Sequence, residues 1–221
     1  MNDLLVLVAA YLYLFAALGI AEWLRRRQGY SVDFTRKVVH IAAGMTVLFL
    51  LAFQSRWMAL IPPVSFIFIN TLSYWKGTFQ AMETGERWRL GTIYFPIAFA
   101  VLTWWLWETK SLLVASLMPM TWGDALAAVV GRRWGRRKFR VPGGHRTLEG
   151  SLTFLVVAWV ATALPLAFVS GTPFPGWQAL PVALAVAVGT AVVEAISPWG
   201  TDNLTVPAVA ALILRTAASL T

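Results

Sequence analysis

Apolar residues fall into eight long runs, at roughly 4–24, 37–53, 57–75, 92–107, 111–131, 151–169, 179–197 and 204–220, with polar segments between them. A bilayer core takes about 20 apolar residues per helix, with about 17–25 as the working range. Each run therefore predicts a spanning helix. The chain reads as an all-α, polytopic transmembrane bundle of about eight spans, because only helices or closed barrels satisfy the backbone in lipid. The first run sits where a signal peptide would. Asp3 stands in place of a basic leader, however, and Arg25, Arg26 and Arg27 follow the run as a stop-transfer signal. The fourth run is short and carries Trp104, Trp105 and Trp107, rings suited to a membrane interface.

Most of the 18 Lys and Arg lie in three of the connections. One holds Arg25 to Arg27 with Arg36 and Lys37. The second holds Lys76, Arg87 and Arg89. The third holds Arg132, Arg133, Arg136, Arg137, Lys138, Arg140 and Arg146. An eight-span path places all three on one face. The positive-inside rule makes that face cytoplasmic and puts both termini outside, in a prokaryotic-type inner or plasma membrane. The main cytoplasmic loops are then about 25–36, 76–91, 132–150 and 197–203 of a single catalytic domain, 1–221.

Composition narrows the picture. The chain is 58% hydrophobic and 13% charged, whereas soluble domains are about a quarter charged. No polar stretch is long enough to bury a separate core. The net charge of +8 is concentrated in the loops, so it reads as a topology signal and not as a nucleic-acid surface. Cysteine is absent, which excludes disulfides, thiolate metal sites and Cys nucleophiles.

Against this background a few polar residues stand out. Asp124 lies inside the fifth run, about 9 Å from its basic end at 1.5 Å per residue. An acid within a span is costly and marks function by default; the bland alternative is an ion pair with an Arg of the next loop. Gly123, Ala127, Gly131 and Gly135 recur every four residues near it, so another helix can pack closely there. That stripe serves a homodimer as well as the bundle. Glu194 ends the seventh run, Ser197-Pro198-Trp199-Gly200 breaks the helix, and Asp202-Asn203 open the eighth. Folded back, Glu194, Asp202 and Asn203 present hard oxygens that suit magnesium, particularly when phosphates complete its shell. Simple helix-end or capping roles are the alternative for each.

The third basic loop can hold a polyphosphate through its guanidinium groups. Its alternative roles are a topology anchor or an anionic-lipid patch. Neither role needs the Gly143-Gly144-His145-Arg146-Thr147 turn or the Glu149-Gly150-Ser151 after it, where backbone amides can cradle phosphate. No Walker A sequence occurs, so a nucleotide would be held by Arg and Lys, a metal and helix ends. Arg36, His40 and Gly44 share a helix face at the start of the second run, and His40 can meet phosphate or act as a base. Glu86 and Arg89 precede Gly91-Thr92-Ile93-Tyr94-Phe95-Pro96, a segment that can wall a lipid alcohol. Asn70 is an amide inside the third run.

Taken in order, Arg36-Lys-Val-Val-His40, Gly91-Thr-Ile-Tyr-Phe-Pro96, Trp122-Gly-Asp124, Gly131-Arg-Arg-Trp-Gly135, Arg146-Thr-Leu-Glu-Gly-Ser151 and Glu194…Asp202-Asn203…Pro207 resemble the CTP-dependent polyprenol kinase family, which includes phytol, farnesol and dolichol kinases and is related to phosphatidate cytidylyltransferases. The resemblance covers roughly residues 36–207. It implies phosphoryl transfer from CTP to a membrane-embedded isoprenoid alcohol, with magnesium. It implies that Asp124, Glu194 and His40 are catalytic and that Asp124, Glu194, Asp202 and Asn203 hold metal. It assigns Arg36, Lys37, Arg136, Arg137, Lys138, Arg146, Thr147 and Ser151 to the nucleotide, and Glu86, Arg89, Tyr94 and Pro96 to the lipid. Arg146 departs from the lysine the resemblance leads one to expect. The competing readings are a CTP-using lipid cytidylyltransferase, a diacylglycerol kinase and, more distantly, an ion-coupled transporter. The chain lacks the paired broken segments of transporter repeats.

Overall fold

A computed structural model describes residues 2–76 and 90–221. Glu86, Arg87 and Arg89 lie outside the described residues. Among these residues the chain forms eight helices: α1 (Asp3–Gln28), α2 (Val32–Ala52), α3 (Arg56–Lys76), α4 (Gly91–Trp105), α5 (Lys110–Trp134), α6 (Leu148–Phe168), α7 (Ala179–Ile196) and α8 (Asp202–Ala218). They coincide with the eight apolar runs. Six of them (α1, α2, α3, α5, α6 and α7, the last counted from Gly176) are long and apolar enough to cross a membrane; α4 and α8 have 15 and 17 residues. The molecule is an integral membrane helix bundle.

α5 is the axis. Of its most apolar stretch 72% is buried, against 28–33% in the other five long helices. It packs on α6 and α8, which with α7 form one side of the bundle, and it touches α2 and α4 on the other. Side chains such as Leu12, Phe68, Phe168 and Leu212 stay exposed around the outside, as a lipid-facing surface requires. The small-residue stripe on α5 is used within the chain. A Cβ on Gly123 would meet Phe154, and one on Gly131 would meet Thr147 and Gly150 of the α6 start. Those glycines let α5 and α6 approach closely.

The connections are tighter than expected from sequence. The first is only Gly29–Ser31. Arg25, Arg26 and Arg27 form the last turn of α1, where cations complement the helix dipole. Gly29 ends α1 in the left-handed conformation, and Ser31 caps α2 by accepting from the Phe34 amide. The third basic loop also departs from an all-helical picture. Lys138–Val141 (β1) and Gly144–Thr147 (β2) pair as an antiparallel hairpin, because Pro142-Gly143 supplies the turn and Gly143 takes φ 83°.

At one end of the bundle Asp3 accepts from the amides of Gln54 and Ser55, and Arg56 pairs with Glu108 at 2.6 Å. The polar ends of α2 and of α3 to α8 converge at the other end, around one cavity.

Candidate active site

Asp124 is 8% exposed at the end of a π-helical turn, Pro119–Asp124, inside α5. Pro119 has no amide hydrogen for the regular ladder, and such bulges often mark functional positions. Asp124 Oδ2 accepts from Lys37 Nζ at 2.6 Å, and the same ammonium reaches the Asp124 carbonyl at 3.4 Å. His40 Nε2 lies 2.8 Å from the Met120 carbonyl and 3.6 Å from Asp124 Oδ2. Both neighbours are acceptors, so Nε2 carries the proton. Lys37 and His40 sit three apart on α2 and so share the face turned to α5.

Two further acids meet Asp124. Glu194, 3% exposed, closes α7, and Asp202 opens α8. One carboxylate oxygen from each of the three lies within 4.8 Å of the others. Two carboxylates at that separation repel by about 3–4 kcal/mol at an effective dielectric of 20, so the cluster needs cations. Lys37 supplies one. Arg146 of β2 supplies another: its guanidinium is 3.0 Å from Glu194 Oε1, 3.6 Å from Asp202 Oδ2 and 3.3 Å from the Glu194 carbonyl.

These groups line a cavity of about 1390 Å³ that also takes in Arg36, His40, Lys138, Thr147, Ser151 and Asn203. The structure thus brings most of the sequence-derived site together. Arg136 and Arg137 stay outside this lining, on the exposed approach to the hairpin. The Arg137 backbone anchors the hairpin base, donating to Glu149 and accepting from the Leu148 amide. Thr147 caps α6 by accepting from the Gly150 amide at 3.2 Å. Arg36 lies 3.5 Å from Asp33, which also pairs with Arg132. Tyr94 and Pro96 do not line this cavity.

Three lining residues carry a buried polar atom without a hydrogen-bond partner: Asn70 Oδ1, Ser151 Oγ and Asn203 Oδ1. Both amides hold the first turn of α4. Asn70 donates to the Thr92 carbonyl at 2.7 Å and Asn203 to the Gly91 carbonyl at 3.2 Å. Gly91 leaves room for the second amide, since a Cβ there would stand 2.7 Å from Asn203 Nδ2. The cavity mouth has a feature the sequence did not announce. Pro198 packs on the hairpin tip at Gly143, and Trp199 takes φ 53°, the only non-glycine residue with positive φ among the described residues. The Lys37–Asp124 pairing was also missed, although Lys37 and His40 share one motif.

The carboxylate donors fit a magnesium ion: they are hard, clustered and short of positive charge. A buried acid cluster beside a cationic hairpin suits the handling of a polyphosphate. Comparison with known proteins supplies the family. The chain is 35% identical over 204 residues to a phytol kinase of Synechocystis, covering 91% of this chain and 86% of that one. The chain belongs to the polyprenol kinase family. The kinase is also 28% identical over 232 residues to a probable chloroplastic phytol kinase of Triticum aestivum, covering 95% of this chain and 74% of that one. It is 24% identical over 217 residues to a chloroplastic farnesol kinase of Arabidopsis thaliana, covering 90% and 70%. No family model matches the chain, and no solved structure does. Family membership makes it an enzyme that phosphorylates an alcohol.

Proposed function

We propose that the kinase transfers the γ-phosphoryl group of CTP to the hydroxyl of a long-chain isoprenoid alcohol at the cytoplasmic face of a prokaryotic-type plasma membrane. The relatives' named substrates, phytol and farnesol, support the acceptor class. The observation that carries the reading is the cavity itself: Asp124, Glu194 and Asp202 gathered within 4.8 Å, facing Arg146 and Lys138 of the hairpin, at the polar end of a membrane bundle. The clustered basic residues at this end support the cytoplasmic assignment.

Asp124, Glu194 and Asp202 would hold magnesium, with Asn203 beside them. A bound ion would neutralise charge on the phosphates. Arg146 and Lys138 bind the polyphosphate, Arg146 through its planar fork. Lys37 fixes the Asp124 carboxylate, and His40 braces the π-helical turn through the Met120 carbonyl. The alcohol oxygen forms a bond to the γ-phosphorus while the bond from that phosphorus to the β-phosphate oxygen breaks. CDP leaves, and the alcohol proton passes to a carboxylate of the cluster. Arg36, Thr147 and Ser151 complete the wall around the nucleotide.

The test is to incubate purified protein with magnesium, γ-labelled CTP and a mixture of phytol, geranylgeraniol, farnesol, dolichol and diacylglycerol. Label in an isoprenoid monophosphate is the expected result. Released pyrophosphate with a CDP-lipid would replace the reading by a cytidylyltransferase. Label in phosphatidate alone would make it a diacylglycerol kinase.

A further inference from the structure

A second, apolar cleft runs between α1, α2, α3 and α4, lined by Ala10 and Leu14, by Ala43 and Phe49, by Ala59, and by Phe99. It is continuous with the polar cavity, since Val39, Ala43, Asn70 and Phe95 line both. An aromatic series marks the passage: the His40 ring meets Phe95 edge-on at 4.9 Å, and Phe95 stacks on Phe99 at 5.1 Å. At the junction Asn70 is only 9% exposed, and its Oδ1 has no partner. A buried acceptor without a donor is costly, and a ligand hydroxyl would satisfy it.

We propose that this cleft holds the hydrocarbon tail of the alcohol substrate and that Asn70 Oδ1 accepts its hydroxyl; the assignment rests on the kinase reading above. The chemistry matches at both ends. The junction offers an acceptor on the wall of the cavity that also holds the acid cluster. The cleft offers apolar walls, with no charged residue in its lining. α2 lines it from Val39 to Leu50, about 16 Å of helix at 1.5 Å per residue. Its far end meets the turn between α2 and α3 at Phe53, and that turn is pinned. Lys110 Nζ donates to the carbonyl of Phe53, a lining residue, at 2.5 Å, and Asp3 holds the amides of the next two residues. A pinned turn at that end limits the length of tail the cleft takes.

The cleft is narrow, about 80 Å³, so a tail takes its place by parting α1 from α3. Across that seam Tyr11 and Ser65 share one hydrogen bond of 2.6 Å, and the Tyr11 and Phe15 rings lie against Phe66. α1 buries only Val6, Ala10, Leu14 and Ala21. So thinly buried a helix can move at low cost.

Ala59→Leu and Ala10→Leu narrow the far end, and Asn70→Leu removes the acceptor. The readouts are kcat/KM for geraniol, farnesol and phytol, which lengthen in that order, together with the KM for CTP. Each narrowing variant is expected to lower the phytol-to-geraniol ratio by about tenfold or more. Asn70→Leu is expected to raise the KM for every alcohol by about tenfold while the KM for CTP holds. An unchanged phytol-to-geraniol ratio in the narrowing variants, or an Asn70→Leu variant whose KM values for the alcohols do not rise, overturns the proposal. A photoreactive phytol analogue on the wild-type protein decides it independently of folding in the variants. Label on α1, α2 and α3 residues of the cleft supports the site; label confined to outer residues such as Phe168 and Leu212 overturns it. Failure of the wild type to phosphorylate any alcohol would instead overturn the kinase reading, leaving the photolabel to decide the cleft alone.

Discussion

Lys37 Nζ sits 2.6 Å from Asp124 Oδ2, and both side chains are nearly closed to solvent, 11% and 12% exposed. The pair joins α2 to the π-helical turn of α5 and aims the carboxylate toward Glu194 and Asp202. Breaking one side of such a pair strands a charge, at about 3–5 kcal/mol. Lys37→Met and Asp124→Asn should each lower the melting temperature in detergent. The double variant should melt closer to wild type, because no lone charge remains. Its turnover should stay at least about a hundredfold down, in the range of losing an electrostatic catalytic group. Recovery of activity along with stability would show that the pair is only structural.

Arg146 reaches two of the three acids through a single nitrogen, Nη2, which leaves the rest of its planar fork to pair with phosphate. Arg146→Lys keeps the charge, and one ammonium can still meet both acids, but it loses the fork that pairs bidentately with phosphate. We expect kcat/KM for CTP to fall by about tenfold, equivalent to about 1.4 kcal/mol, with the KM for the alcohol little changed. Arg146→Ala should fall further. Steady-state kinetics varying one substrate at a time separates the two effects. Equal loss on both substrates would place Arg146 outside the nucleotide site.

Much of this arrangement was legible in the sequence, for identifiable reasons. Helix positions follow from apolar run length, a strong signal in membrane proteins. Asp124, Glu194 and Asp202 stood out because acids are rare in apolar surroundings. The hairpin carrying Arg146 was not legible, since Pro142-Gly143 announces a turn without saying what flanks it. The Lys37–Asp124 pair joins residues 87 apart in sequence, a relationship that no local pattern encodes. Arg136 and Arg137 looked equivalent to Lys138 by charge alone. Strand pairing separates them, placing Lys138 opposite Thr147 at the cavity and leaving the arginines before it.

Metal dependence follows from the acid cluster. Chelation with EDTA should abolish turnover, and added magnesium should restore it. Asp202→Asn should raise the magnesium concentration needed for half-maximal rate, because a carboxylate binds the ion better than an amide does. Titration of rate against magnesium at fixed CTP measures the shift. An unchanged titration curve would remove Asp202 from the metal-binding set.

Gly200 and Gly91 offer a test that touches no charged group. A Cβ on Gly200 would stand 2.9 Å from the Gly91 backbone, and Gly200 has φ +84°, a region L side chains rarely adopt. The clash cannot be relieved by rotating a side chain, since the neighbour is main chain. Gly200→Ala should therefore push the Ser197–Thr201 loop away from the start of α4. That shift carries Asp202 from Glu194 and Asn203 from the Gly91 carbonyl. Strain of this kind costs about 1–3 kcal/mol, so the protein should still fold with a lowered melting temperature. Turnover should fall more steeply than stability does, because the acid cluster is spread across the same break. A variant that loses stability in the expected range yet keeps its full rate would show that the α7–α8 break tolerates movement and that Asp202 is not held where the chemistry needs it.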